Sequence, residues 1–255
     1  MTVKHTNKVA PPLHLLGVFL FLIVAVGQAQ PQRNATLPVT DPSEARAIDV
    51  IFRRWRIRAN DRWNITGDIC SGIASDSTTP LDYSPGIKCD CSYNATTLCH
   101  VYSLRVYSMS DWDSSSNVVG QLPEELWTLT YLTNLNLGQN YLTGRLPPSI
   151  ANLTRMQYLS IGINALSGEL PKELGMLTDL RSLAIGTSNF SGPLPSELGN
   201  CTRLEQLWID SSGVSGAIPL SLARLQNMQI MFSSDNAFTG RIPEFIGSWS
   251  NLTVL

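Results

Sequence analysis

The side chains that could perform catalysis are few in this sequence, and they do not converge. Three histidines are present, and only His100 lies beyond the apolar N-terminal segment. The acidic residues are scattered, and the motifs GxSxG, HExxH, HRD and DFG are absent, as is a glycine-rich nucleotide loop. We therefore predict no catalysis and no cofactor. We also predict no metal, because the Asp111/Asp113 pair lacks the Gly and the closing Glu of a calcium loop.

Cysteines are the remaining reactive groups. In a chain outside the cytosol, the cluster of Cys70, Cys89, Cys91 and Cys99 implies two disulfides before it implies zinc. Cys89 and Cys91 are separated by one residue and face opposite sides of an extended segment, so they are poor partners for each other. Two pairings stay open: Cys70–Cys89 with Cys91–Cys99, or Cys70–Cys91 with Cys89–Cys99. We predict that Cys201, within a repeat, is a small packing residue.

Residues 1–29 are predicted to form a secretory signal peptide. Lys4 and Lys8 precede an apolar run over residues 13–26, and a small-x-small cleavage site ends at Ala29. A signal anchor is the alternative, but the run is shorter than the roughly 20 residues of a membrane-spanning helix. No second long apolar segment follows. We therefore expect cleavage after Ala29 and a mature chain in the secretory pathway.

The charge balance argues against nucleic acid as a partner. The chain has 18 Lys and Arg against 20 Asp and Glu, and removal of Lys4 and Lys8 leaves a formal charge of −4. No Lys/Arg cluster is present that could follow a phosphate backbone.

Residues 30–100 are predicted to form an N-terminal cap that begins with a helix. Asp41 is the expected N-cap, Pro42 stands at the first helical position, and Glu44 is where a capping box requires it. An apolar stripe at helical spacing can cover the end of the first repeat. It consists of Ile48, Ile51, Phe52 and Trp55.

Residues 101–255 contain the pattern LxxLxLxxNxLxGxxPxx(L/I)xxL, repeated at a constant step of 24 residues. Its glycines follow at that step: Gly144, Gly168, Gly192, Gly216 and Gly240. Two apolar residues separated by one lie on one face of a short strand, while Asn, Gly and Pro turn the chain. A single unit cannot bury its apolar face, so the units must stack. The pattern predicts an α/β solenoid with parallel strands on a concave face.

These units resemble the plant-type leucine-rich repeats in the extracellular parts of receptor-like kinases. The resemblance covers roughly residues 38–255 and rests on six consecutive units that agree in period. The segments TYLTNLNLGQNYLTG and DLRSLAIGTSNFSG resemble the subfamily whose repeats precede a malectin-like domain. The resemblance implies a helical cap closed by disulfides. Full-length members also have a cytoplasmic Ser/Thr kinase domain, whose motifs are not in this sequence.

Some units depart from the pattern. The position held by Asn140, Asn164 and Asn236 is Ser188 and Ser212 in between. Since the Asn side chain satisfies backbone groups of the turn and Ser does so only in part, we expect lower local stability there.

The first and last units are also irregular. Seven extra residues around DWDSSSN are predicted to bulge from the first unit, and Ser233 stands where the sixth unit should have its second strand leucine. The final unit stops within its strand at Leu255 without a capping repeat, so we expect the chain to be part of a longer protein.

Ligand binding is expected on the concave face, which we define by three columns of strand residues that point away from the core. The columns are Asn136, Ser160, Ala184, Trp208 and Phe232; Gly138, Gly162, Gly186, Asp210 and Ser234; and Gln139, Ile163, Thr187, Ser211 and Asp235. Exposed contiguous aromatics favour an interaction site, so Trp208 and Phe232, with Asp210 and Asp235 for polar selectivity, are the candidate ligand-binding residues. Alternatively, the aromatics only cover the weak sixth unit.

Seven Asn-x-Ser/Thr sequons predict a glycoprotein. They begin at Asn34, Asn64, Asn94, Asn152, Asn189, Asn200 and Asn251. Asn152 and Asn200 share a position that we expect on the convex side, and no sequon lies in the three concave columns. The concave face should therefore stay free of sugar.

We interpret the chain as the N-terminal part of a plant receptor-like kinase ectodomain at the cell surface. It would recognise an extracellular peptide, protein or glycan, and also a co-receptor. Any contact with a membrane would come from a segment downstream of Leu255. The alternative is a free secreted inhibitor of a microbial wall-degrading enzyme, which uses the same type of repeat. Transcript sequence beyond Leu255 separates the two.

Overall fold

The computed structural model describes residues 38–57, 67–70, 86–93, 97–106 and 117–255. The predicted signal peptide and the predicted bulge around DWDSSSN lie outside these residues.

The cap begins with one helix, α1 (Pro42–Arg54), as predicted. The Asp41 side chain accepts hydrogen bonds from the backbone N–H groups of Ser43 and Glu44, which satisfies two of the free donors at a helix start. The predicted capping box does not form, because the Asp41 N–H donates to the Cys99 carbonyl at 2.9 Å instead. The predicted stripe is buried against the first repeat: Ile48, Ile51, Phe52 and Trp55.

Three strands and two disulfides complete the described part of the cap. The short strand β1 (Val39–Thr40) runs parallel to β3 (Leu98–Arg105), and β2 (Gly86–Asp90) pairs with β3 antiparallel. The disulfides are Cys70–Cys89 and Cys91–Cys99, which selects the first of the two pairings that the sequence left open.

The repeats form a sheet in which β1, β3 and the odd-numbered strands that follow lie side by side in chain order. Each repeat strand is parallel to the next, and residues 24 apart pair directly, as Leu135 does with Leu159. The strands are β5 (Asn134–Asn136), β7 (Tyr158–Ser160), β9 (Ser182–Ala184), β11 (Gln206–Trp208) and β13 (Ile230–Phe232). The predicted parallel-stranded solenoid is confirmed.

Short strands after each turn pair along a second edge of the solenoid. Their bounds are β4 (Val119–Gln121), β6 (Tyr141–Gly144), β8 (Ala165–Glu169), β10 (Asn189–Ser191), β12 (Ser215–Gly216) and β14 (Ala237–Phe238). A 3-10 helix then leads to the next unit, each one preceded by the proline of the pattern. These helices are Glu124–Thr128, Pro148–Asn152, Lys172–Met176, Ser196–Asn200, Leu220–Arg224 and Glu244–Ser248.

The apolar positions of the pattern form one continuous buried cluster from α1 to Trp249. Cys201 belongs to it as an unpaired and fully buried residue, which confirms the predicted packing role. Burial raises the pKa of the Cys201 thiol to about 11. Ser233 is half-buried at a position where Ile161, Ile185 and Ile209 are fully buried.

The asparagines at the turn position form a ladder that connects neighbouring units. The Asn164 amide nitrogen donates to the carbonyls of Leu137, Ile161 and Gly162 at 2.9–3.1 Å, and its oxygen accepts from the Leu142 N–H. Asn140 and Asn236 make equivalent sets.

The helices of the described residues include none with both the length and the apolar character of a membrane span.

Candidate functional site

A cavity of about 390 Å³ opens on the concave face. Every residue that lines it belongs to one of the three predicted columns. The lining residues are Asn136, Gly138, Gln139, Ser160, Gly162, Ile163, Ala184, Gly186, Thr187, Trp208 and Asp210.

Backbone forms the floor of the cavity, because the middle column has glycine in three consecutive units. A Cβ atom on Gly162 would lie 2.6 Å from the Gly186 carbonyl oxygen, and one on Gly186 would lie 2.7 Å from Oδ1 of Asp210. Adjacent units therefore approach too closely at Gly162 and Gly186 for a side chain, and the cavity owes its depth to these glycines.

Trp208 bounds one end of the cavity, with Phe232 stacked on it. Their rings stack with centroids 4.6 Å apart and planes at 17°, and both side chains are half-buried. Trp208 lines the cavity, whereas Phe232 lies behind it, in the next strand. The two predicted aromatics are thus adjacent, as expected, but they differ in their access to the cavity.

The two predicted aspartates also differ. Asp210 lines the cavity, whereas Asp235 is exposed and is not among the lining residues. The structure therefore brings Asp210 together with Trp208 and leaves Asp235 outside.

The third column forms the rim, and its backbone is left-handed throughout. The φ angles lie between 49° and 58° at Gln139, Ile163, Thr187, Ser211 and Asp235. For the β-branched Ile163 and Thr187 this conformation is strained. Ile163 is also 51% exposed, so burial does not compensate for the strain. Because the conformation recurs at this position in five consecutive units, it belongs to the turn of the repeat.

A further column of outward-facing residues was not anticipated. It lies two residues before the Trp208 column and includes Tyr158, which is 45% exposed. Arg105 also extends the Trp208 column into the cap, since it pairs with Asn136 across β3 and β5. The two-residue alternation of a strand also predicts the column that includes Tyr158. The position of Arg105 did not follow from the pattern, because the first unit is irregular.

The cap contains a polar cluster that sequence reasoning also missed. Glu44 is buried; it accepts a 2.7 Å hydrogen bond from the Val101 N–H and lies 3.0 Å from Nδ1 of His100. Burial raises the pKa of the Glu44 carboxyl, and the bonds from Val101 and His100 oppose that shift. The His100 ring stacks on Tyr131 with centroids 3.6 Å apart. These contacts join α1 to the first repeat.

Four sequons lie within the described residues, and their asparagines are exposed. Asn152 and Asn200 end two of the 3-10 helices, while Asn189 begins β10 and Asn251 follows the last 3-10 helix. None lines the cavity. The sequons at Asn34, Asn64 and Asn94 lie outside the described residues.

Within the described ranges, no three His, Cys, Asp or Glu side chains come together as metal ligands would.

Parallel strands at a 24-residue step, a ladder of asparagines and a disulfide-bonded helical cap define a leucine-rich repeat solenoid. A sequence model of the leucine-rich repeat region matches residues 81–255, and the chain belongs to this family. The match covers the repeats and no kinase domain.

Among curated proteins, the chain is similar to a probable leucine-rich repeat receptor-like serine/threonine-protein kinase of Arabidopsis thaliana. The two are 51% identical over 128 residues, which make up 49% of this chain and 12% of that kinase. The chain therefore spans a small part of the length of such relatives.

Solved structures of plant receptors have the same fold. A TDR receptor is 34% identical with a TM-score of 0.54, and the match covers 55% of this chain and 24% of the receptor. The plant peptide hormone receptor RGFR1 in complex with RGF2 is 29% identical with a TM-score of 0.57, over 63% of this chain and 24% of that one.

Proposed function

We propose that this chain is the ligand-recognition part of a plant receptor-like kinase, and that it binds an extracellular peptide or protein at the cell surface through its concave face. The cavity carries this proposal, because it combines the indole of Trp208, a bare glycine floor and a few polar side chains on the concave face. Concave sites with a few placed polar groups are typical of ligand binding. The RGFR1 structure, with its bound RGF2, supports a peptide ligand ahead of a glycan.

Substitution of the aromatic pair tests the proposal. A random peptide library displayed on phage is selected against the secreted chain, and the enriched peptides are synthesised. We expect Trp208→Ala to weaken their binding by roughly 2 kcal/mol or more, the range for central aromatics. Phe232→Ala should weaken it less, because Phe232 supports the indole from behind. Calorimetry measures the affinity, and thermal melting is recorded for each variant.

Leu220→Ala is the matched control, since Leu220 is 77% exposed on a 3-10 helix outside the cavity. It removes a large exposed apolar side chain and should leave the affinity unchanged. If both aromatic variants bind as the wild type does, the concave site is wrong. If Phe232→Ala lowers the melting temperature and binding falls only through unfolding, the aromatics cover the weak sixth unit instead.

The finer assignment to the subfamily with a malectin-like domain is also our proposal. It is supported by the resemblance of the segments around residues 130–144 and 179–192 to that subfamily. Transcript sequence downstream of Leu255 should encode a malectin-like domain, a membrane span and kinase motifs. A stop after a capping repeat would favour the secreted inhibitor, which the receptor relatives do not favour.

We further propose that the mature chain is a glycoprotein with sugars at Asn152 and Asn200. Both asparagines are exposed at the ends of 3-10 helices, outside the cavity. Mass spectrometry of plant-expressed protein should find both occupied. Two unmodified asparagines would contradict the proposal.

A further inference from the structure

We propose that the cavity on the concave face is a cation pocket, which takes an arginine or lysine side chain of the peptide ligand between Trp208 and Asp210. This inference rests on the proposed function and specifies the chemistry of its ligand.

The charge of the cavity is the first argument. Asp210 is the one charged residue among those that line it. Within the described residues, the Asp210 carboxylate has neither a hydrogen bond nor an ion pair. Two arginines of the neighbouring units are engaged elsewhere, Arg181 with Glu205 at 2.6 Å and Arg203 with Asp179 at 2.7 Å. The cavity thus presents a negative charge that a positively charged group can neutralise.

The orientation of the indole is the second argument. Phe232 in β13 covers one face of Trp208, and the rings are nearly parallel. The other face points along the sheet to β9, where the residue paired with Trp208 is Ala184. Since a methyl group cannot cover an indole, that face is open to the cavity, where a cation within about 6 Å of the ring is attracted by its quadrupole.

The position of the carboxylate relative to the ring is the third argument. Asp210 lies two residues after Trp208, in the turn that follows β11, and both residues line the cavity. Oδ1 of Asp210 lies over the glycine floor, 2.7 Å from where a Gly186 Cβ would stand. An aromatic face beside a carboxylate provides both contacts that a guanidinium makes, one to its plane and one to its N–H edge.

The size of the cavity limits the occupant. About 390 Å³ is at the lower end of the 300–1,000 Å³ typical of ligand pockets. Asn136, Ser160 and Thr187 supply neutral polar groups along its length. The cavity therefore accommodates a basic side chain and the adjoining backbone of an extended peptide.

Peptides selected from the random library test the inference. We expect the peptides enriched on the wild-type chain to share an Arg or Lys at one fixed position. Exchange of that Arg for citrulline, which has the same shape without the charge, should weaken wild-type binding about tenfold or more. The same exchange should have little effect on the Asp210→Asn variant, because the partner charge is missing.

Glu244→Gln is the charge control. Glu244 is exposed on the last 3-10 helix, so its substitution also removes one negative charge but lies outside the cavity. It should retain the full effect of the citrulline exchange. Should Asp210→Asn fold poorly, Trp208→Phe replaces it, since a smaller ring should reduce the effect of the exchange without removing the stack on Phe232.

The results separate the two proposals. Selected peptides without a shared basic residue, or an equal citrulline effect on the wild type and Asp210→Asn, would overturn the cation pocket while the ligand-binding function stands. Failure to enrich any peptide on the wild-type chain would overturn both.

Discussion

Ser188 is the position where the ladder between units is incomplete. Its hydroxyl is buried and has no hydrogen-bond partner among the described residues, whereas Asn164, one unit earlier, bonds three carbonyls and one N–H. Unpartnered buried polar groups cost stability. The expected local weakness at this position is therefore supported by the geometry.

Ser188→Asn should raise the free energy of unfolding by about 1 kcal/mol, the net value of an added hydrogen bond. An asparagine there would reach the carbonyls that correspond to those bonded by Asn164. Urea denaturation followed by circular dichroism measures the change. Ser212→Asn provides the comparison and should gain less, because the Ser212 hydroxyl already donates to Asn236 at 3.1 Å. A less stable Ser188→Asn chain would contradict this account.

The hydrogen bonding of Ser188 and Ser212 differs in a way that the sequence pattern did not predict. The sequence grouped Ser188 and Ser212 as equivalent, since both replace the ladder asparagine. Ser212 differs because Asn236 in the next unit accepts its hydrogen bond, a relation between units that the pattern within one unit does not contain. The concave columns were predictable for the opposite reason, because strand alternation is fixed by local geometry.

At the scale of elements, the sequence predicted the helix of the cap correctly but did not predict all of the contacts that the cap makes. The N-cap and the apolar stripe follow from sequence spacing, and both are present in α1. The predicted capping-box role of Glu44 was wrong, because the Cys99 carbonyl in β3 accepts the hydrogen bond from the Asp41 N–H and the Glu44 carboxylate accepts one from the Val101 N–H instead. The disulfide pairing also depends on the register of β2 and β3, where Asp90 lies opposite His100 and places Cys91 beside Cys99.

The buried Glu44 makes the stability of the cap depend on pH. Burial raises its pKa above the ordinary value of 4.5, so the folded chain holds this proton more firmly than the unfolded chain. The contribution of Glu44 to stability is therefore greatest at low pH and is lost as the pH rises through the folded-state pKa. Glu44→Gln, which does not titrate, should remove this dependence.

The measurement is the free energy of unfolding of wild type minus that of Glu44→Gln, from about pH 4 to about pH 7. The difference should decrease as the pH rises. Asp41, whose pKa is lowered mainly by its bond from Ser43, is present in both chains. A flat difference would show that the Glu44 carboxyl does not titrate differently on folding.

At the scale of the whole molecule, the repeats behave as a row of coupled units. One apolar cluster runs through all of them, and each unit contacts its neighbours through parallel strands. In such arrays the stability is approximately a sum over units and their interfaces, so a weak unit opens separately from the rest. The 24-residue period made this architecture predictable, since it fixes the strand pairing between one regular unit and the next.

Ser233 should make the sixth unit the least protected of the regular units. At this position, just past the strand, the other regular units have a fully buried apolar residue and the sixth unit has a half-buried serine. Ser233→Ile, which restores the residue found at Ile161, Ile185 and Ile209, should stabilise the unit by about 1 kcal/mol through partial burial of the new side chain. Hydrogen exchange measured by mass spectrometry should then slow across residues 228–240 and remain unchanged across residues 134–160. Equal slowing in both segments would mean that the repeats open as one cooperative unit. Faster exchange near residue 233 would mean that the site has no room for the larger side chain.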